Sequence, residues 1–294
     1  MNRTALATCW FFSAASLLGF APSALFAEDA LAAGSAADLL GVIYWTDRNE
    51  GIYRAARDGS EVQLVLRMPF ADGLAIDEGE EKLYFTVSSP QQQNADKVMR
   101  ANLDGSGPQE LATLNFTGDL VLDPTEGGKI YVSSIGDGKV VRLNRDGTGL
   151  EDFVVGIPRP DELAFDPVKC QLYWTNHGDK RIERANVDGT GRETVVQLKT
   201  TQALGIALDS MKREIYWVMP GGMIFRAGLD GSNEKQLIGG LTQPDGLAFD
   251  PENRKLYWTE NGKLSQANAD GSQAEALVLG KTRQYGSIAI LPPK

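Results

Sequence analysis

The sequence predicts an all-β fold, a six-bladed β-propeller built from four-stranded antiparallel blades. Three repeated features predict it: a hairpin-turn tripeptide, a tyrosine-led aromatic stretch and a compact apolar stretch. The tripeptide is Asp-Gly followed by Ser or Thr, and its six copies begin at Asp58, Asp104, Asp146, Asp188, Asp230 and Asp270. Their spacing of 40 to 46 residues is typical of a repeated supersecondary unit.

Each repeat reads as four short strands, which we name a ("GLAFD"), b ("KLYWT"), c ("RIERANV") and d ("RETVVQL"). The Asp-Gly pair joins c to d, because a tight hairpin turn needs positive φ, which Asp tolerates and Gly adopts freely. Strand a is compact, with Ala at its centre, which suits the innermost strand where the blades converge. The Tyr and Trp side chains of strand b fill the widening space further out. Continuous apolar runs indicate that both sheet faces are buried, so the sheets stack around an axis.

The two ends of the chain are expected to complete one blade together. The chain enters the fold with strands b, c and d, at about residues 39–66, and leaves it with strand a, at about residues 285–291. Pairing of these strands closes the ring. The predicted organisation is a leader at 1–27, a short linker at 28–38, one propeller at 39–291 and a tail at 292–294.

The first 27 residues are typical of a secretory signal peptide. Arg3 precedes the apolar run "ALATCWFFSAASLLGFA", which is short and interrupted by Ser and Thr and so favours a leader over a membrane anchor. Cleavage is expected after Ala27, with Ala24 and Ala32 as alternatives. The protein is therefore expected to be exported, to a periplasm or to the extracellular space.

The net charge of −10 argues against nucleic acid and anionic membrane surfaces as partners. Cations, basic peptides and neutral sugars are still candidate partners. A zinc site made of several histidines is excluded because His177 is the only histidine. The sequence carries neither a P-loop nor a dinucleotide fingerprint nor a nucleophile elbow, and no motif in it requires a cofactor.

Three stretches resemble the YWTD repeats (class B repeats) of the low-density lipoprotein receptor family. They are "YWTD" at 44–47, "RIERANVDGTG" at 181–191 and "PDGLAFDP" at 244–251. The resemblance implies a six-bladed propeller. The chain departs from the receptors in having no cysteine-rich EGF-like module and no anchor, and it is similar to solitary, exported propellers of bacterial type. Only one repeat keeps the full "YWTD".

Periodicity separates structural carboxylates from candidate functional ones. A carboxylate that ends strand a in five repeats is expected to cap the turn from a to b; these are Asp77, Asp123, Asp166, Asp209 and Asp250. Asp47 and Arg54 are expected to form an ion pair within one blade.

The candidate binding site lies where the d-to-a and b-to-c loops surround the mouth of the central channel. The acidic candidates, which differ between repeats, are Asp72, Asp119, Asp161, Glu162 and Asp245, opposed by Arg159 and Arg283, with Tyr285 beside them. Apolar anchors on the same loop face are expected at Met68, Phe70, Phe116 and Met219. The insertion Ser88–Asp96, present in one blade, is a further candidate contact, and His177 is expected to face solvent.

Converging carboxylates either keep protons or attract a cation. Asp119, Glu162 and Asp245 are the candidate ligands, and their oxygen donors favour Ca²⁺ or another divalent ion. The alternative is a solvated acidic rim whose side chains point apart.

Two classes of function are consistent with these features. The first is an exported, non-catalytic binding module that uses its loop face to hold a protein, a peptide (basic, given the acidic mouth) or a glycan. The second is a metal-dependent lactonase or hydrolase similar to gluconolactonase-type propellers, favoured because Asp119 and Glu162 replace the Gly of most other repeats. The second would also need neutral ligands, for which Asn115 and Asn176 are the candidates. A structural part of a larger envelope assembly is a third possibility.

Overall fold

A computed structural model describes residues 41–92, 95–125, 127–279 and 286–293. The predicted leader and linker lie outside the described residues, as do Arg283 and Tyr285. No helix in the described ranges is long and apolar enough to cross a membrane.

The described residues form six sheets of four antiparallel strands, so the predicted six-bladed β-propeller is confirmed. In order from strand a to strand d, blade 1 is β24 (Ile288–Leu291), β1 (Val42–Asp47), β2 (Gly51–Ala56) and β3 (Gln63–Arg67). Blade 2 is β4 (Ala71–Asp77), β5 (Lys82–Val87), β6 (Asp96–Asn102) and β7 (Gln109–Leu114). Blade 3 is β8 (Thr117–Leu122), β9 (Ile130–Ser134), β10 (Lys139–Leu143) and β11 (Glu151–Val155). Blade 4 is β12 (Pro160–Asp166), β13 (Gln171–Asn176), β14 (Arg181–Asn186) and β15 (Glu193–Gln197). Blade 5 is β16 (Ile206–Asp209), β17 (Glu214–Met219), β18 (Met223–Gly228) and β19 (Lys235–Ile238). Blade 6 is β20 (Pro244–Asp250), β21 (Lys255–Glu260), β22 (Lys263–Asn268) and β23 (Glu275–Leu279).

Blade 1 combines the two ends of the described chain, as the sequence predicts. β24 pairs antiparallel with β1, placing Val42 opposite Leu291 and Trp45 opposite Ile288. Arg57 reinforces the closure, because its guanidinium bonds to the Leu291 carbonyl at 3.2 Å and to Asp250 of blade 6 at 2.9 Å. The last strand is thereby held both by its own blade and through the neighbouring blade.

The core lies between the blades and is built from the aromatic side chains of strand b. The tyrosines Tyr44, Tyr84, Tyr131, Tyr173, Tyr216 and Tyr257 and the tryptophans Trp45, Trp174, Trp217 and Trp258 are all buried. Tyr173 of blade 4, for example, packs with Ile215 and Trp217 of blade 5. These residues recur because each blade needs a bulky layer against the next one.

The recurring Asp-Gly-Ser/Thr tripeptide closes the c-to-d hairpin. Asp58 Oδ1 accepts the Ser60 N–H at 2.9 Å and the Ser60 hydroxyl at 2.6 Å, and the corresponding bonds recur at Asp104, Asp146, Asp188 and Asp270. Gly59 has a φ of 83°, which only Gly adopts without strain. The tripeptide therefore serves the scaffold.

The strand-a aspartates cap turns as predicted, and several also tie adjacent blades together. Asp166 accepts the Val168 N–H and pairs with Arg213 of blade 5 at 2.5 Å. Asp209 pairs with Arg254 of blade 6 at 2.6 Å, and Asp77 pairs with Arg145 of blade 3.

The predicted Asp47–Arg54 ion pair was wrong. Asp47 accepts the N–H groups of Asn49 and Glu50, whereas Arg54 lies opposite Tyr44 and donates to Gln63. Other strand-c arginines reach the next blade instead: Arg142 donates to the Val187 carbonyl at 2.7 Å and Arg184 to the Leu229 carbonyl at 2.8 Å. The strand-c arginine thus links neighbouring blades in blades 2, 3 and 4.

Candidate binding site at the channel mouth

The channel mouth is formed where each strand a begins. In an antiparallel blade the d-to-a and b-to-c loops share one face, and the a-to-b turns and c-to-d hairpins share the other. Two adjacent residues at or just before the start of each strand a line the mouth. In chain order they are Asp72-Gly73, Gly118-Asp119, Asp161-Glu162, Leu204-Gly205, Asp245-Gly246 and Gly286-Ser287.

A hydroxyl on strand b links neighbouring blades around the mouth. Thr259 Oγ1 accepts the Gly246 N–H of its own blade at 3.0 Å and donates to the Gly286 carbonyl of the next blade at 3.0 Å. Thr86 and Thr46 make the equivalent bonds to their own and the following blades. In blade 5, Val218 has no hydroxyl, and Gly205 N–H donates directly to the Asp245 carbonyl at 3.1 Å. The threonine of the "YWT" stretch therefore fixes the rim on which the acidic side chains stand.

Asp72 is paired with Arg48, a residue that sequence reasoning missed. The Arg48 Nε donates to Asp72 Oδ1 at 3.1 Å, and a second guanidinium nitrogen contacts Oδ2. Burial raises the pKa of Asp72 above its ordinary value although Arg48 acts in the opposite direction. Arg48 comes from the b-to-c loop "TDRNEG" of blade 1. It could have been found by considering that this loop converges on the mouth together with the d-to-a loops.

Asp119 is the most enclosed of the acidic candidates, with 6% of its surface exposed. Its Oδ2 accepts the Leu163 N–H of blade 4 at 3.2 Å, and its Oδ1 has no hydrogen-bond partner among the described residues. A Cβ at Gly73 would lie 2.8 Å from this Oδ1, so the glycine of blade 2 lets the carboxylate approach. Burial raises the pKa of Asp119 to about 7, against backbone N–H groups that favour the anion.

Asp161, Glu162 and Asp245 surround the same mouth and act on one another electrostatically. Burial, followed by the charges of Asp72 and Asp245, raises the pKa of Asp161 to about 8. Burial also raises the pKa of Asp245 to about 7 and that of Glu162 well above its ordinary value. These carboxyl groups therefore keep their protons to a higher pH than exposed carboxyl groups do.

His177 does not face solvent as expected. Its side chain is 8% exposed; Nε2 lies 2.7 Å from the Ala203 carbonyl and Nδ1 lies 3.3 Å from Asp161 Oδ2. Burial lowers the pKa of His177 to about 4, so the ring is neutral and Nε2–H donates to Ala203. Nδ1 is then an acceptor, and a protonated Asp161 would be the donor facing it. This arrangement agrees with the raised pKa of Asp161.

The predicted apolar anchors divide into two groups. Phe70 and Phe116, at the same repeat position in blades 2 and 3, are 47% and 53% exposed. Both have positive φ, 67° and 48°. Arg159 lies at the same repeat position in blade 4, also has positive φ and is exposed. In contrast, Met219 is buried in the core between blades 4 and 5, and Met68 packs against the core between blades 1 and 2. Neither methionine is available as an exposed anchor, because a strand-end position does not reveal on which side of the sheet the side chain lies.

The insertion of blade 2 is fastened at its base. Asp96 Oδ1 accepts the Ser89 N–H at 2.7 Å, and Oδ2 accepts the Thr117 N–H of blade 3 at 2.8 Å. Asp96 is buried, and its role at this position is structural. Residues 93 and 94 lie outside the described residues, and Pro90 is exposed.

The described residues do not form a ready site for a divalent ion. Among them, no group of three or more His, Cys, Asp or Glu side chains is arranged to hold a metal. The two candidate neutral ligands are otherwise engaged: Asn115 donates to Asp137 at 3.0 Å, and the buried Asn176 donates to Glu183 at 2.8 Å. The carboxylates Asp119, Glu162 and Asp245 share the mouth without the geometry of a metal centre.

No protein-family model and no curated protein matches the sequence. Solved structures show similarity at the level of the fold. The chain is similar to a structure from a nidogen/laminin complex, with 21% identity, a TM-score of 0.76 and coverage of 86% of this chain and 99% of that one. A gluconolactonase from Xanthomonas campestris matches with 16% identity and a TM-score of 0.63, covering 79% of this chain and 86% of that one. TolB from Acinetobacter baumannii matches with 16% identity and a TM-score of 0.70, covering 87% of this chain and 67% of that one.

Proposed function

We propose that the protein is an exported, non-catalytic binding module that holds a protein, peptide or glycan on the loop face around the channel mouth. We assign to the mouth a basic group of that partner. The observation that carries the proposal is the exposure of Phe70 and Phe116 beside a group of carboxylates whose pKa values are raised by burial. Exposed aromatic side chains next to acidic groups favour Arg or Lys, which bind to both.

The electrostatics of the mouth favour a cationic ligand. A cation placed about 4 Å from one carboxylate gains about 4 kcal/mol at an effective dielectric of 20. Asp72 already forms an ion pair with Arg48. The other carboxyl groups of the mouth have raised pKa values; they are Asp119, Asp161, Glu162 and Asp245. Insertion of a cation lowers these pKa values and expels protons. Binding is therefore expected to strengthen as pH rises from 6 towards 8, by about tenfold per pH unit for each proton released.

The proposal includes the protein family and the cellular location of the chain. The repeats at 44–47, 181–191 and 244–251 support membership among YWTD-repeat propellers of the solitary, exported type, with residues 1–27 removed as a leader. The fold-level similarity to a structure from a nidogen/laminin complex supports a propeller face as a surface for protein binding.

The test is a binding titration with labelled Arg-Gly and Lys-Gly repeat peptides, with Gln and Glu counterparts as ligand controls. We expect the basic peptides to bind and the Glu peptide not to bind. The double substitution Asp161→Asn/Asp245→Asn should weaken binding at least tenfold. Its matched control, Asp188→Asn/Asp270→Asn, removes two charges from hairpins on the opposite face and should bind as the wild type does.

The aromatic contribution is tested separately. Phe70→Ser/Phe116→Ser should also weaken binding, whereas Leu150→Ser/Met211→Ser, which removes exposed apolar side chains from the opposite face, should not. Equal affinity of all peptides, or loss of binding in the control variants only, would refute the assignment of the basic group to the mouth.

A metal-dependent lactonase is the second candidate function. It is favoured by carboxylates with pKa values of about 7 to 8, which suit proton transfer near neutral pH, and by the fold-level similarity to a gluconolactonase. The described residues do not fit a divalent-ion centre, so no catalytic step is assigned. Ca²⁺ therefore stays a prediction, tested by melting curves and by hydrolysis of gluconolactone with added Ca²⁺, Mg²⁺, Mn²⁺ and Zn²⁺. Metal-dependent turnover that Asp119→Asn abolishes would favour this function over the first.

A further inference from the structure

A cavity of about 630 Å³ lies in blade 5 on the face opposite the channel mouth. Four cationic side chains line it, from the a-to-b turn of blade 5 and from strand c of blades 4 and 5: Arg184, Lys212, Arg213 and Arg226. Two carboxylates, Glu214 and Asp230, line it as well. Concave sites of this volume accommodate small molecules. Arg184 is paired with Glu193, Arg213 with Asp166 and Arg226 with Glu214, so Lys212 contributes the positive charge that no ion pair among the described residues offsets.

The cavity exists because blade 5 departs from the repeat at the end of strand c. Four other blades carry Asn at this position, and the Asn amide donates to the hairpin hydroxyl at 2.8 to 3.1 Å; these residues are Asn102, Asn144, Asn186 and Asn268. Blade 5 has Gly228. A Cβ at Gly228 would lie 2.6 Å from Asp230 Oδ1 and 2.8 Å from Ser232 Oγ, so these two hairpin side chains lie close to the backbone where the other blades place an Asn side chain.

A second departure removes the usual partner of the strand-c arginine. In blades 1 to 4 the strand-d residue opposite this arginine is Gln or Glu, and it accepts a hydrogen bond from the guanidinium. In blade 5 the residue opposite Arg226 is Lys235. Like charges directly opposite on neighbouring strands are destabilising. The scaffold alone gives no reason for this pair.

A third departure changes the partner of Arg226, whose side chain lines the cavity. Strand b of blade 5 begins with Glu214 where three other blades have Lys and one has Gln. Arg226 pairs with Glu214 at 2.9 Å, and in the described part of the chain it makes no bond to the next blade of the kind Arg142 and Arg184 make. Lys212 beside it forms no ion pair within the described residues. Arg226 and Lys212 thus present nitrogen donors to the cavity.

We propose that this cavity binds an oxyanion carried by a sugar-sized molecule, with Arg226 and Lys212 holding the phosphate, sulfate or carboxylate group. Guanidinium and ammonium groups together form strong charge-assisted hydrogen bonds to oxyanions. The Ser232 hydroxyl and the Asn233 amide also line the cavity and suit the hydroxyl groups of a saccharide. The site is independent of the channel mouth, because it lies on the opposite face.

The experiment is calorimetric titration of the full chain with glucose 6-phosphate, glucuronate and unmodified glucose at constant ionic strength. We expect saturable binding of at least one of the two anionic sugars and none of glucose. Comparison of glucose 6-phosphate with glucuronate identifies the preferred anionic group. Constant ionic strength is needed because phosphate also stabilises proteins without binding to a site.

Two variants make the proposal falsifiable. Arg226→Gln removes the charge, and Gly228→Asn restores the residue that four other blades use and fills the cavity; each should weaken binding at least tenfold. Arg142→Gln is the matched control, since it occupies the same repeat position in blade 3 and should leave binding unchanged. Should Arg226→Gln fail to fold, Gly228→Asn tests the site alone. Absence of binding to the wild type, or equal binding to Gly228→Asn, would overturn the proposal.

Discussion

Replacing Asp119 by Asn tests whether the channel mouth holds a proton at neutral pH. Asp119 is buried, its Oδ2 accepts the Leu163 N–H, and burial raises its pKa to about 7. In the unfolded chain an Asp carboxyl has a pKa of about 3.9. A pKa that is higher in the folded state stabilises the protein at low pH, and this stabilisation is lost as pH rises towards 7.

The magnitude follows from proton linkage. Between pH 5 and pH 8 the folded wild type releases a proton at Asp119 that the unfolded chain has already lost at pH 5. Slightly less than two pH units of this interval contribute, because dissociation is gradual around the folded pKa, and each is worth about 1.4 kcal/mol, which gives roughly 2.5 kcal/mol. Asn keeps an oxygen acceptor for Leu163 and cannot titrate. The free energy of unfolding of Asp119→Asn should therefore fall by roughly 2.5 kcal/mol less than that of the wild type over this interval.

Urea denaturation at pH 5 and pH 8 measures the effect. Asp188→Asn is the control, because the Thr190 hydroxyl and N–H lower the pKa of Asp188 and the carboxylate is charged at both pH values. Its substitution should shift both unfolding curves equally. The same pH dependence in Asp119→Asn and the wild type would show that the pKa of Asp119 is not raised in the folded protein.

Two further predictions concern the scaffold. Thr259→Val removes the hydroxyl between Gly246 N–H and the Gly286 carbonyl and leaves both groups buried without a partner. The free energy of unfolding should fall by about 1 to 3 kcal/mol. Thr259→Ser keeps the hydroxyl and should be close to the wild type. An unchanged Thr259→Val would mean that the hydroxyl link contributes little. Arg57→Ala removes the partner of the buried Asp250 and one bond to β24, and should destabilise by about 3 to 5 kcal/mol in the same denaturation assay. Arg57→Ala/Asp250→Asn should recover part of that loss, and no recovery would argue against an uncompensated charge as the cause.

The scaffold could be predicted from the sequence because every blade repeats the same physical problem. Six turns needing positive φ produce six Asp-Gly pairs, and six gaps between blades produce six buried tyrosines. The closure of blade 1 followed from the position at which the repeat is interrupted. Asp77 and its equivalents were assigned to the scaffold correctly for the same reason.

The site was predicted only in outline, because its properties depend on contacts between blades. The acidic residues of the mouth were found as departures from the repeat. Arg48 and His177 were not, since their partners, Asp72 and Asp161, lie 24 and 16 residues away on other loops. Met219 was placed on the surface although it is buried, since the sequence does not give the direction of its side chain. The cavity in blade 5 was not predicted, because the repeat pattern does not show which side chains surround the position of Gly228.

Proton release on binding shows whether the carboxylates of the channel mouth receive a basic group. Calorimetric titration of the basic peptide at pH 7, in two buffers of different ionisation enthalpy, gives the number of protons exchanged. We expect release of about one proton or more, because a cation lowers the pKa values of Asp119 and Asp245, which are about 7, and that of Asp161, which is about 8. Asp161→Asn should reduce that number. Binding without proton release, or no binding of the basic peptide, would contradict the claim that these carboxylates receive a basic group.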